Sequence, residues 1–316
     1  MGVKLIFFMF KKLIKGNLHK FWDWLSYFLI LLNIILVPLF LDNKINNAYI
    51  MPKSYLFFSL LLVNLLLWSV RVLINKKISH RKSFLDWCLL GLLVVSFFST
   101  IFSVDVSSSF FGRTDYFTIN FFVILFSVIF YLILINQLNT QKRWYLVLDT
   151  LLVVGGISTI IFLLKVYINT LFPGWSSIFN TISSFSSLFG IWVVFHLILL
   201  TGLLMQKGNS VKRTLFYLIF FILHLIALIV LGFSMMWWLL FVGFVLLLCL
   251  GIFFVKQIRL LGLYVVFVSL VLSLVFIIFG SPKTMQAVLP AEISLAIPVS
   301  WEITYQTIFS SVKNFF

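Results

Sequence analysis

Nine apolar runs, each roughly 18 to 24 residues long, follow one another along the chain. An α-helix of that length crosses the hydrocarbon core of a bilayer, which is about 30 Å thick, and satisfies its own backbone hydrogen bonds within the lipid. The predicted spans are 22–41, 54–73, 84–103, 117–136, 145–167, 187–206, 214–231, 235–254 and 260–280. The sequence therefore predicts an all-α fold, a polytopic transmembrane helix bundle of about nine spans.

The balance of apolar and charged residues supports a membrane protein. Hydrophobic residues make up 63% of the 316-residue chain and charged residues 10%, whereas a soluble domain is roughly half apolar and one quarter charged. Membrane lipid is therefore the expected surrounding and partner. The net charge of +15 does not indicate nucleic acid, because the basic residues stand in short clusters between the apolar runs.

The distribution of Lys and Arg predicts the orientation of the spans. Of the 23 basic residues, 17 fall on the side that holds the N-terminus and 6 fall on the other side. Cytoplasmic loops of membrane proteins carry the excess of Lys and Arg. We therefore expect the N-terminus inside and, because the number of spans is odd, the C-terminus outside.

The chain divides into three segments. Residues 1–21 form a basic segment without a small-residue cleavage site, and we expect an interfacial helix there. The transmembrane domain covers 22–280, and an exterior amphipathic tail covers 281–316, with Ser300 as a candidate helix N-cap. The apolar pattern runs to Phe316 without a terminating residue, so we expect a fragment whose tail begins a larger exterior loop.

A short exterior loop between the third and fourth spans carries Asp105, Arg113 and Asp115. An Arg guanidinium at the membrane surface can bind phosphate or diphosphate oxygens through two parallel N–H donors. These three residues are therefore the candidate substrate-binding residues. The alternative is a solvated surface loop whose charges pair with one another.

His196 and His224 each fall near the middle of a span, in the sixth and seventh predicted helices. Ionisable groups at the bilayer midplane are candidates for a proton relay or a ligand contact. The alternative is a pair of neutral imidazoles that bond to Ser, Thr or carbonyl groups of neighbouring helices. Asp149 and Lys165 lie near opposite ends of the fifth span, where long side chains can reach the interface.

Motifs that would identify catalytic or metal-binding residues are missing from the sequence. There is no Gly-rich phosphate loop, no nucleophile elbow and no zinc-protease motif. Cys88 and Cys249 lie in separate apolar runs and form no cysteine pair for a metal. Neither a metal nor a cofactor is expected, and the catalytic residues stay unassigned. The lack of acids deep within the spans weighs against an ion-coupled transporter.

Three stretches on the predicted exterior side share features with a known family. They read STIFSVDVSSSFFGR at 99–113, FNTISSFSSLF at 179–189 and WEITYQTIF at 301–309. The first resembles the first exterior signature of the O-antigen ligase and O-antigen polymerase superfamily, and the second resembles the exterior segment that follows. The third is similar to the helix that leads into the large exterior loop of that superfamily.

The resemblance implies a metal-independent membrane glycosyltransferase on the outer face of the bacterial cytoplasmic membrane. Such an enzyme moves a glycan from a polyprenyl-diphosphate carrier to an acceptor. Arg113 is the one basic residue that matches a family exterior signature. The family usually has an Arg after its seventh span, where this chain reads GFSMMWW at 232–238, and a functional His in the large exterior loop, which neither His196 nor His224 matches.

Two other functions fit the sequence. One is a lipid or glycan transporter, which would favour a central polar cavity at His196 and His224. The other is a non-catalytic membrane protein of envelope assembly. A cavity that opens to the outer leaflet and is lined by Arg113 would favour the enzyme.

Overall fold

A computed structural model describes residues 2–40, 51–75, 84–112, 120–138, 140–171, 186–254 and 259–279, and this part of the chain is all-helical without a β-strand. The helices are α1 (Gly2–Leu39), α2 (Met51–Asn75), α3 (Phe84–Ile101), α4 (Val106–Phe111), α5 (Phe121–Gln137), α6 (Gln141–Leu171), α7 (Ser186–Met205), α8 (Val211–Leu231), α9 (Ser234–Phe254) and α10 (Leu260–Phe279). Each predicted apolar run coincides with one long helix, and α4 is a short additional helix.

Six helices of the described part are long and apolar enough to cross a membrane. Their apolar stretches are Phe21–Leu39, Pro52–Val70, Gln141–Tyr167, Val211–Leu231, Ser234–Gly251 and Leu260–Phe279. Shorter apolar stretches lie at Leu85–Ile101, Phe121–Gln137 and Phe189–Met205, where the third, fourth and sixth spans are predicted. The all-α, membrane-embedded class is therefore confirmed, with six candidate spans, and the count of nine stays a prediction.

The first helix is continuous from Gly2 to Leu39 over 38 residues. It joins the predicted basic N-terminal segment to the first predicted span without a break. The tail 281–316, with its candidate N-cap Ser300, lies outside the described residues.

The long helices pack around two separate apolar cores. The larger core joins α6 to α10 and includes Leu197, Leu228 and Phe244, each fully buried. The smaller core joins α1, α2 and α5 through Ile30, Leu61 and Ile133. Helix α6 packs on α1 as well as on α7 and α8, so it connects the two groups.

The outward faces of these helices are apolar. Trp87 of α3 and Phe267 of α10, for example, are 73% and 66% exposed. Contiguous apolar surface of this kind is unfavourable in water and is covered by lipid in a membrane protein.

Hydrogen bonds between helices join ends that the sequence predicts on the same side of the membrane. At the predicted cytoplasmic side, the Tyr27 hydroxyl donates to the Arg143 carbonyl oxygen at 3.2 Å. At the predicted exterior side, Lys53 Nζ donates to the Pro38 carbonyl oxygen at 3.0 Å. Helices that alternate in direction along the chain produce this pattern.

Candidate functional sites

A polar cluster joins α6 and α8 near their N-terminal ends. Arg213, in the first turn of α8, donates from Nη2 to Asp149 Oδ2 on α6 and forms an ion pair with it. The Tyr217 hydroxyl, one turn further along α8, donates to Asp149 Oδ1 at 3.3 Å. Both carboxylate oxygens therefore have a partner. With Tyr145, these residues are called the Arg213 cluster below.

The Tyr145 ring also contacts the guanidinium group of Arg213. The Arg213 Cζ atom lies 4.4 Å from the centre of the Tyr145 ring, within the range of a cation–π contact. Gln206, after the end of α7, donates from Nε2 to the Tyr145 hydroxyl at 3.0 Å. The cluster thus ties three helices together at one level of the bundle.

The sequence predicts that Asp149 lies near the membrane interface, but it does not identify Arg213 as the partner of Asp149. Asp149 and Arg213 are separated by 64 positions, and hydropathy does not show that α6 packs on α8. The available signal was the spacing of the polar residues. Tyr145 and Asp149 on α6, like Arg213 and Tyr217 on α8, stand four residues apart and so share one face of each helix.

A groove of about 650 Å³ runs along α6 beside the Arg213 cluster. Helix α1 contributes Ile35 and Leu39 to one wall. The remaining lining residues come from α6 and α8: Lys142, Tyr145, Leu146, Asp149, Thr150, Val153, Val154, Ile157 and Arg213. The groove is apolar over most of its length and ends at charged groups.

Lys142 stands at this charged end, in the first turn of α6, and is exposed. Its ammonium group forms no hydrogen bond or ion pair with the residues that the structure describes. Thr150, by contrast, donates its hydroxyl back to the Leu146 carbonyl oxygen at 2.7 Å. Lys142 is therefore a cation of the groove that is available to a ligand.

The two predicted midplane histidines lie in direct contact. The His196 and His224 rings are stacked, with centroids 5.1 Å apart and planes inclined by 10°. Both side chains are fully buried between α7 and α8. Gly155 of α6 allows this arrangement, because a Cβ atom there would overlap the His196 ring. Neither His lines the groove described above.

The hydrogen bonds of the two imidazoles differ. His196 Nδ1 lies 2.8 Å from the Trp192 carbonyl oxygen, and its Nε2 lies 3.2 Å from the Leu151 carbonyl oxygen. A neutral imidazole has one N–H and can donate to one of the two oxygens. His224 Nδ1 lies 2.7 Å from the Phe220 carbonyl oxygen, while its Nε2 is buried without a partner in the described part of the chain. The polar neighbours of the pair are therefore backbone carbonyl oxygens, of which only that of Leu151 belongs to a neighbouring helix, and the functional role of the pair stays a prediction.

In the loop between α3 and α5, which the sequence predicts to be exterior, Asp105 is the N-cap of α4. Its Oδ1 accepts from the Ser108 backbone N–H at 3.1 Å, and its Oδ2 accepts from the Ser108 hydroxyl at 2.5 Å. Both carboxylate oxygens of Asp105 therefore accept a hydrogen bond from Ser108, and the role of Asp105 as a substrate contact stays a prediction. Arg113 and Asp115 lie outside the described residues.

Aromatic side chains hold α4 against α5. The Phe110 ring packs edge-on against Phe121 at 5.4 Å between centroids, and it also contacts Phe97 of α3 at 6.3 Å. Phe111 stacks on Phe122 at 5.1 Å. The chain therefore folds back over the ends of α3 and α5 as far as Gly112, the residue before Arg113.

Lys165 differs from the sequence expectation. Its side chain is only 5% exposed, whereas the sequence predicts one that reaches the interface. Among the described residues, Lys165 has no hydrogen-bond or ion-pair partner. A Lys side chain that is buried to this extent in an apolar helix is rare in membrane proteins and is commonly functional, which makes Lys165 a functional candidate that hydropathy analysis does not find.

A buried polar cluster of Ser26, Asn64 and Gln137 lies beside the smaller core. The Ser26 hydroxyl donates to Asn64 Oδ1, and Gln137 Nε2 donates to Ser26 Oγ at 3.0 Å. These bonds connect α1, α2 and α5, which is the role that interhelical amides commonly have in membrane proteins.

The fold and these sites define an α-helical membrane-embedded protein with internal polar groups. Among the described residues, no group of three or more His, Cys, Asp and Glu side chains is arranged to hold a metal ion. Comparison of the chain with protein-family models, curated proteins and solved structures found no match.

Proposed function

We propose that the chain is an O-antigen-ligase-like glycosyltransferase, or the membrane part of one. In this proposal it lies in the bacterial cytoplasmic membrane with nine spans, its N-terminus inside and its C-terminus outside. Its substrate is a glycan on a polyprenyl-diphosphate carrier at the outer face. The proposal rests on the resemblance of 99–113, 179–189 and 301–309 to that superfamily and on the distribution of basic residues.

The observation that carries the proposal is the fold of the exterior signature 99–112. Asp105 caps α4, and Phe110 and Phe111 pack on α5. This stretch is therefore an ordered part of the bundle. Such a fold favours a defined site over a freely solvated loop. Arg113 follows directly after Gly112, and in the proposal its guanidinium binds the carrier diphosphate at the membrane surface.

Replacement of Arg113 tests this role. We expect Arg113→Ala to weaken binding of a fluorescent undecaprenyl diphosphate to the chain in nanodiscs by roughly ten- to hundredfold, because a charged hydrogen-bonding partner contributes on the order of 1.5 to 3 kcal/mol. Arg113→Lys keeps the charge but loses the bidentate geometry, and an intermediate loss is expected. Lys44→Ala removes an exterior charge outside the signature and serves as the control. Equal affinity of Arg113→Ala and the parent protein would overturn the assignment.

A lipid or glycan transporter is the second candidate. The observation that favours it is the contact of His196 with His224 in the interior of the bundle, where ionisable groups commonly serve transport. The two functions differ in what happens to the labelled carrier. A transporter moves the labelled carrier between the leaflets of a proteoliposome, whereas a glycosyltransferase releases the carrier diphosphate after its glycan has moved to an acceptor.

A further inference from the structure

The groove along α6 combines two properties that amphiphiles require. Its walls are apolar side chains such as Val153 and Ile157 of α6 and Ile35 of α1. Its end carries Lys142 and Arg213. Because the groove lies at the predicted cytoplasmic ends of α6 and α8, it is remote from the exterior signature.

We propose that this groove is a binding site for one anionic phospholipid. An acyl chain lies along α6, and the phosphate group contacts Lys142 and Arg213. This site is separate from the one in the proposed function, and neither proposal depends on the other.

The charges of the groove favour an anionic headgroup over a zwitterionic or cationic one. Asp149 neutralises one of the two cations by its ion pair with Arg213, so the three charged residues carry one net positive charge. Arg213 uses Nη2 for Asp149, and a guanidinium has five N–H donors in all. The Asp149 and Tyr145 contacts thus fix the guanidinium at the groove while Lys142 supplies the excess charge.

The dimensions fit a lipid chain. From Lys142 to Ile157 the helix rises by about 22 Å, at roughly 1.5 Å per residue. One leaflet contributes about half of a hydrocarbon core that is roughly 30 Å thick. A volume of about 650 Å³ lies within the range of roughly 300 to 1,000 Å³ that is common for small-ligand sites. An acyl chain can therefore extend from the charged end towards the middle of the bilayer.

The predicted orientation, to which Lys142 and Arg213 themselves contribute, assigns the charged end to the cytoplasmic side. Lys142 and Arg213 belong to the basic side of the chain, and basic pockets between transmembrane helices on the cytoplasmic side bind anionic headgroups. The inner leaflet is therefore the source of the lipid.

Lipid titration of the purified full chain tests the proposal. The detergent-solubilised protein is titrated with phosphatidylglycerol, or with phosphatidylcholine of the same acyl chains, and bound lipid is counted by native mass spectrometry. We expect one tightly bound phosphatidylglycerol. Lys142→Ala should weaken its binding about fivefold, the effect of one basic residue at a membrane surface. Val153→Trp should prevent binding by placing an indole in the groove.

Two matched variants distinguish a defined site from general attraction. Lys212→Ala removes an exposed basic residue next to Arg213 that does not line the groove. Ile160→Trp adds an indole to an exposed position of α6 outside the groove. Both should bind the lipid as the parent protein does. Equal binding of the two lipids, or an equal loss for Lys142→Ala and Lys212→Ala, would overturn the proposal. So would a dimer of the chain that Val153→Trp dissociates, because the groove would then hold a second copy.

Discussion

His196 and His224 occupy equivalent depths on adjacent helices, yet their surroundings differ. His196 faces two carbonyl oxygens, one on its own helix and one on α6. His224 has a single carbonyl neighbour and a buried Nε2 without a partner in the described part of the chain. The first ring can donate either within α7 or to α6, and the second is bonded only within α8. The contribution of each ring to stability should differ accordingly.

Leucine substitutions measure this difference. We expect His196→Leu to lower the apparent Tm of the protein in detergent by about 2 to 4 °C, because one net hydrogen bond contributes on the order of 1 kcal/mol. His224→Leu should change the apparent Tm less, because it also removes a buried polar atom that has no partner. The reverse order of the two effects would contradict this account of the pair.

The short helix α4 shows how local contacts order the loop between α3 and α5. A six-residue helix is too short to be stable alone, since forming the first turn is unfavourable. The Asp105 cap and the packing of Phe110 and Phe111 on α5 supply the missing stabilisation. The structure therefore gives Asp105 a capping function that the sequence did not predict.

Removal of the cap tests the role of Asp105. Loss of an N-cap costs about 1 kcal/mol, so Asp105→Ala should speed amide hydrogen exchange in residues 106–112 about fivefold. Ser107→Ala, at an exposed position in the same helix, should leave the exchange rate unchanged. An unchanged rate in Asp105→Ala would show that the aromatic contacts alone hold α4.

At the scale of the whole molecule, the sequence predicts the helices better than their packing. Apolar runs reveal each long helix because a lipid environment demands about 20 apolar residues in a row. The contact of His196 with His224 could be anticipated because consecutive helices α7 and α8 are antiparallel neighbours. The pairing of Asp149 with Arg213 could not, because α7 intervenes in the sequence and apolar residues face both lipid and protein. For the same reason, hydropathy did not show that Lys165 is buried.

The predicted orientation of the bundle decides where each proposed site would operate, since it assigns the exterior signature to the outside and the groove to the inner leaflet. Single cysteines at Asn47, Ser108 and Ser210, in a protein whose Cys88 and Cys249 are replaced by Ser, measure it directly in spheroplasts. A membrane-impermeant maleimide should label the cysteines at positions 47 and 108 in intact spheroplasts, and the cysteine at position 210 only after lysis. Labelling at position 210 in intact spheroplasts would contradict the account.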